Sequence, residues 1–218
     1  MAQRLYFIAT PYSDTFFKEK CSEFTFYSGF ALSQKHKSMK SFHDSIKEID
    51  GNLKILEIST KSFNPEGAAV SASNLKFYDE ALDREIPLEN IFKSSKVFEN
   101  GGPFRDLLDV SPKDAKMDKR LTKSGVLKYF DYNDTIWELQ PETMFYDWIY
   151  IKALARNKEL AEEIFSYDAF TDIEFNHQKS INCQARAAAI FVSISKMGFL
   201  EEFLNDKEKF KQVYGAKR

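Results

Sequence analysis

The apolar periodicity of this chain changes at Pro141, and that change decides what class of fold it can form. Ahead of Pro141, apolar residues alternate in short runs at residues 5–9, 23–27 and 53–58, the period of strands. Beyond it they return every three or four positions through 142–156, 158–165 and 181–197, with a last pair of helices before Tyr214. The first half is not purely extended. Met39, Phe42 and Ile46 give residues 34–49 helical spacing, stopped by Asp50-Gly51-Asn52. Pro87 opens a helix predicted to run to Phe98, which Gly101-Gly102-Pro103 ends. Segments 69–74 and 169–175 are expected to be extended, and Asn133-Asp134 to turn a hairpin between 126–132 and 135–139. The sum is an α+β fold with a small sheet and a mostly helical C-terminal half. With 218 residues and no repeat or Pro/Ser-rich linker, the chain fits one domain. Residues 67–197 are expected to be its core and residues 1–66 an N-terminal elaboration.

Charge limits the partners. A net charge of −2 gives no global attraction for nucleic acid, so any such contact is local or confined to one modified nucleotide. Cys21 and Cys183 lie far apart and share no metal-ligand spacing with His36, His43 or His177. They read as reduced thiols, and neither a metal nor a cofactor is expected. The apolar run at the N-terminus is too short for a signal peptide, and nothing is long enough to span a membrane, so a cytoplasmic protein is expected. Trp137 and Trp148 are expected to anchor the core.

The segment with most chemical content is 86–98. Residues seven apart on a helix share a face about 10 Å apart, so Glu89 and Lys96 would look out of one side. A substrate lying between them could touch both. Phe92 falls between them and would strip water from the amine, and burial lowers a lysine pKa. Positive charge at Lys93 or Lys35 would act in the same direction. A neutral amine is what attack on a sugar aldehyde requires. The competing reading is a surface helix with scattered charges.

This segment resembles the signature helix of the NADAR family, in which a glutamate precedes a lysine by seven residues, with an aromatic and a small residue between. Ala72-Ser73-Asn74-Leu75-Lys76-Phe77 resembles the family's Leu-Ser-Asn-Phe-Tyr element. Phe145-Tyr146-Asp147-Trp148 and Asn157-Lys158-Glu159-Leu160 resemble a later helix and its ending, and Thr171-Asp172-Ile173-Glu174 stands where the family has a Val-Glu pair. Three further stretches are similar to NADAR proteins that act as antitoxins to DarT-type toxins: Gly29 to Ser38, Ser95 to Pro103 and Ser180 to Ala187. One departure stands out. Typical members carry an aspartate and a Trp-Gly pair before the last asparagine, where this chain has Phe175-Asn176-His177-Gln178-Lys179-Ser180-Ile181. The riboflavin-pathway relatives, which share the YbiA-like fold, depend on those residues.

The resemblance implies an N-glycosidase that removes ADP-ribose from guanine in DNA, reversing the modification made by a DarT-type toxin, with Glu89 and Lys96 catalytic. Its alternatives are an N-glycosidase on a riboflavin-pathway intermediate and a module that binds ADP-ribose or the toxin without turnover. Substrate-binding candidates are Lys35, Ser73, Asn74, Asn100, Gly101, Asn182, Gln184 and Arg186. Glycines at Asn100-Gly101-Gly102-Pro103 would let backbone approach a phosphate, or simply stop a helix. Asn182, Gln184 and Arg186 open a helix, where backbone donors and a guanidinium favour anions. For Arg186 a structural salt bridge is the competing reading.

Overall fold

The computed structural model describes residues 1–13, 15–79, 82–177 and 181–215; Gln178, Lys179 and Ser180, which belong to the segments compared above, lie outside them. In chain order the elements are β1 (Ala2–Ala9), β2 (Phe17–Phe24), α1 (Leu32–Ile49), β3 (Ile55–Glu57), α2 (Pro65–Ala69), β4 (Lys76–Asp79) and β5 (Arg84–Pro87). There follow α3 (Leu88–Ser94), β6 (Lys96–Phe98), a 3-10 turn (Arg105–Asp109), α4 (Pro112–Met117), α5 (Arg120–Lys123), β7 (Leu127–Tyr132) and β8 (Thr135–Trp137). The rest is α6 (Met144–Arg156), α7 (Lys158–Ile164), β9 (Ala169–Thr171), α8 (Gln184–Lys196), α9 (Leu200–Asn205), α10 (Lys207–Phe210) and α11 (Gln212–Gly215). The fold is a single α+β domain, as expected.

The largest sheet has the order β2-β1-β9-β3, antiparallel except for the β3–β9 pair. Strand alternation sorts its side chains onto two faces. Tyr6, Ile55 and Ala169 pack with Met39, Phe42 and Ile46 of α1, while their neighbours Phe7, Leu56 and Phe170 join the larger core formed by α6 and α8. The sheet is therefore a middle layer between helices. Residues 1–66 supply three of its four strands, so they are built into the fold rather than appended to it. Strand β2 closes one edge with exposed Lys18, Glu19 and Lys20, charges that discourage pairing with another chain.

Helix α8 fills the other layer with Ala185, Ala187, Ala188 and Ala189, all fully buried, and short side chains let it pack tightly between α6 and β1. Trp137 and Trp148 are core anchors, 2% and 7% exposed with ring centroids 4.7 Å apart. The hairpin forms where expected, because Asn133 and Asp134 both adopt the left-handed backbone that a two-residue turn requires. Four local expectations fail, one being segment 169–175, whose strand β9 ends at Thr171. The helix predicted at 87–98 ends at Ser94, and Lys96 begins a strand. Segment 69–74 is not extended but follows α2 as a run of bends, and the extended pair is β4–β5 instead. Strand β2 ends at Phe24, so residues 25–27 lie beyond it.

At the C-terminal end, Arg186 of α8 meets Asp147 of α6 at 3.0 Å, with Asp147 wholly buried. The same carboxylate accepts from Tyr214 at 2.6 Å and from Thr143 at 3.0 Å, which ties α11 to the core. The salt-bridge reading of Arg186 is thus the one its surroundings support. Removing one partner strands the other charge in a dry site, at a cost of about 3–5 kcal/mol. Asp147→Ala should lower unfolding free energy by that amount in urea titrations, while a loss below about 1 kcal/mol would mean the pair is solvated.

Candidate active site

Lys96 leaves the helix because two serines stop it. The hydroxyls of Ser94 and Ser95 both donate back to the Ile91 carbonyl, at 3.1 and 2.8 Å, and compete with the helical ladder. The next carbonyls are taken from outside: Ser94 O by Phe104 N at 2.8 Å and Ser95 O by Asp131 N at 2.7 Å. The chain then runs on as β6 beside β7. Gly102 makes this possible from behind. Its φ is +96°, and a Cβ there would collide with the Lys96 carbonyl. The turn at Asn100 and Gly101 therefore supports Lys96 from the strand side, and neither residue lines the cleft.

Glu89 and Lys96 nevertheless reach one cleft with two halves. One half, about 590 Å³, is lined by Lys96, Phe92, Phe130, Glu142, Thr143, Tyr146, His177 and Asn182, among others. The other, about 410 Å³, holds Glu89, Lys93, Ser73, Asp172, Glu174, Asn176 and Gln184. Phe92, Tyr146 and Asn182 border both halves and form the partition between them.

The Phe92 ring is the electrostatic centre of this arrangement. It packs against Phe130 and Tyr146 at 5.3 and 5.2 Å, and the ammonium groups of Lys96 and Lys93 stand 4.9 and 5.2 Å from its centroid. Lys93 also pairs with Glu89 at 3.2 Å. Burial first, and then the Lys93 charge, pull the Lys96 pKa down to about 8 against the opposing pull of Glu89. Lys35 has no part in this. It lies 3.6 Å from Glu174, at the rim of the Glu89 half.

Two residues emerge that sequence reasoning did not single out. Tyr146 is 6% exposed and lines both halves, and burial first, then Glu89, keeps its phenol protonated. Its polar-tipped ring on an apolar helix was the available signal. Asp172 lies at the end of β9 with Glu57 at the end of the parallel strand β3, both buried. Asp172 accepts from the amides of Glu174 and Phe175 at 3.0 and 3.1 Å and from Gln184 Nε2 at 2.8 Å. Glu57 accepts from Ile173 N at 2.9 Å and the Thr171 hydroxyl at 2.7 Å, and His43 stands behind Thr171 at 2.8 Å. Burial, then repulsion from Glu57, raises Asp172 to about 7. No sequence pattern links residues 57 and 172, which only the sheet brings together.

The remaining candidates divide. Gln184 spends its amide on Asp172, Ile58 O at 2.8 Å and Ala72 N at 2.7 Å, so it shapes the cleft wall. Asn182 and Ser73 line the cleft. Asn74 is exposed and donates to Ala68 O at 2.9 Å, away from both halves. Arg186 does not line it either, but donates to Ile181 O at 3.4 Å, next to Asn182.

A desolvated lysine and a carboxylate thus meet across an aromatic partition beside a mixed sheet. The family model for the DarT1-associated NADAR antitoxins matches residues 2–218. The chain belongs to that family. No curated protein matches it. Among the described residues no helix is long and apolar enough to cross a membrane.

Amine-reactive labelling of Lys96, followed by mass spectrometry, should titrate with a midpoint near pH 8. Lys93→Met removes a repelling charge and should move that midpoint upward. A wild-type midpoint at the ordinary lysine value would refute the desolvation.

The carboxyl pair gives a second expectation. Because Asp172 holds its proton more tightly folded than unfolded, its contribution to stability is complete below about pH 4 and is lost as pH rises through about 7. Unfolding free energy should therefore fall over that window. Glu57→Gln keeps an acceptor for Ile173 and removes the repelling charge, so it should flatten the slope. An unchanged slope would rule out mutual repulsion as its cause.

Proposed function

We propose that this antitoxin is an ADP-ribosyl glycohydrolase that removes ADP-ribose from guanine in DNA. The observation that carries the reading is the Lys96 amine, lowered to about 8 and sharing a cleft with Glu89 across Phe92. Membership among antitoxins to DarT1 supports a substrate made by that toxin.

In this mechanism a proton from solvent, relayed by Glu89, reaches the ring oxygen of the distal ribose as its bond to C1 breaks, leaving C1 as an imine carbon on an amino nitrogen of the base. Neutral Lys96 adds to that carbon. The base nitrogen takes up a proton and departs with guanine, leaving C1 bound to Lys96 as an iminium. Water adds, the Lys96 amine leaves, and ADP-ribose is released. At pH 7 about one Lys96 in ten is neutral, against less than one in a thousand for an ordinary lysine, so the site supplies a gain of more than a hundredfold in reactive amine. Tyr146, held as a phenol between the two halves, can donate to the sugar. Lys93 keeps Glu89 positioned at 3.2 Å.

The test is incubation with an oligonucleotide carrying ADP-ribosylated guanine. Wild type should release ADP-ribose, and borohydride during turnover should trap an ADP-ribose adduct on Lys96. Lys96→Arg should bind ADP-ribose without turnover, and Glu89→Gln should slow turnover by about 10²-fold or more. Near-normal turnover by Lys96→Arg would end the covalent mechanism. Full rescue of toxin-expressing cells by the folded Lys96→Ala, Glu89→Ala variant would end the enzymatic reading in favour of binding.

A further inference from the structure

The loop between β2 and α1, residues 25–31, takes no part in the cleft. That loop and the first turns of α1, residues 25–39, contain no acidic side chain and carry Lys35, His36 and Lys37, in a chain whose net charge is −2; Lys40 beyond them pairs with Asp44 at 2.7 Å. The same segment exposes aromatics. Phe30 stands fully in solvent and Phe26 and Tyr27 are about two-fifths exposed. They do not hang loose. Tyr27 N donates to Ser38 Oγ at 2.9 Å, which fastens the loop to α1, and Lys37 Nζ lies 6.0 Å from the Tyr27 ring. Gly29, with φ +129°, turns the chain so that Phe30 projects.

This surface continues across to the cleft. His36 Nε2 bonds to Lys61 O at 3.0 Å, and its ring meets the half-exposed Phe63 at 6.1 Å. Thr60, beside Lys61, lines the Glu89 half of the cleft, and Lys35 reaches the same rim through Glu174. Residues 58–65 also lack an acid and add Lys61.

Lysines interleaved with solvent-facing rings are the chemistry of single-stranded nucleic acid: cations track the phosphates while bases stack on rings regardless of sequence. A folded protein partner of matching apolar shape is a poorer fit, because Phe30 projects from the surface instead of lining a groove. We infer that the loop carrying Tyr27 and Phe30, with Lys37 and Lys61, binds single-stranded DNA flanking the modified base, Phe30 stacking on a neighbouring base. The inference rests on the DNA substrate proposed above but concerns a surface outside the reacting centre.

The experiment compares two probes. One is an unmodified single-stranded oligonucleotide, read by fluorescence anisotropy across about 50 to 200 mM salt. The other is hydrolysis of ADP-ribosylated guanine presented either in that oligonucleotide or as the bare nucleoside. Phe30→Ala should weaken oligonucleotide binding by about tenfold or more, and Phe30→Trp should keep it. Lys37→Gln with Lys61→Gln should reduce the slope of log affinity against log salt by about 1.4, two phosphate contacts on a single strand. KM for the oligonucleotide should rise in these variants while nucleoside hydrolysis stays unchanged. Unaltered oligonucleotide binding in both Phe30→Ala and the lysine variant overturns the inference. So does an equal loss on nucleoside and oligonucleotide, or an effect confined to toxin binding or self-association. If wild type hydrolyses neither substrate yet binds the oligonucleotide with the expected sensitivities, the surface stands and the proposed reaction falls.

Discussion

A lysine amine over the Phe92 ring can exist only if four elements meet there. Helix α3 brings the ring, β6 brings the amine, and Phe130 of β7 with Tyr146 of α6 hold the ring edge and face. Cation–π attraction by itself would favour the charged amine. Here removal of water works the other way and is the larger effect, so the net shift is downward. Lys93 adds to that shift while its own charge is answered by Glu89 at 3.2 Å. One ring thus lies beside both ammonium groups and borders both halves of the cleft.

The two halves of the cleft differ in kind. The Lys96 half is walled by Phe130, Leu127, Leu139 and Ile181, and an amine there has little water to compete with. The Glu89 half holds Asp172 and Glu174 with Lys93 and Lys116, a polar chamber of mixed sign. A ligand with one uncharged and one anionic end would place them differently in the two. The Asp172 wall stays narrow because three donors hold that carboxyl and Gln184 clasps it to the Ala72 backbone. Placing the pair at the ends of two parallel strands follows the common habit of open sheets, which bind ligands beyond their strand ends.

What could be read from the sequence was what local pattern decides. The amphipathic α1, the Asn133-Asp134 hairpin and the helices after Pro141 follow from spacing and turn chemistry. Glu89 and Lys96 were legible as a pair, yet for a reason the fold does not use. A continuous helix would align them by its period, whereas Ser94 and Ser95 break it and tertiary pairing with β7 brings Lys96 back. The edge strand β2 hid behind the run Lys18-Glu19-Lys20-Cys21, which carries little apolar signal. Glu57 and Asp172 were out of reach altogether, because only the β3–β9 pairing makes them neighbours. Arg186 shows the reverse error. An arginine at a helix start invites an anion, but its carboxylate partner lay 39 residues away on another helix.

The departure from the usual family pattern acquires a position in this light. The interval after Thr171-Asp172-Ile173-Glu174 lacks the expected aspartate and Trp-Gly pair, and its residues are not remote from the cleft. Phe175 is buried beneath the Glu89 half, Asn176 lines that half, and His177 lines the Lys96 half. Consecutive residues of one loop therefore face both chambers, close to the partition formed by Phe92, Tyr146 and Asn182. Glu89 and Lys96 of the family signature are present, and the departing loop borders the same cleft. Lys35, held by Glu174 at 3.6 Å, stands at the edge of the same loop.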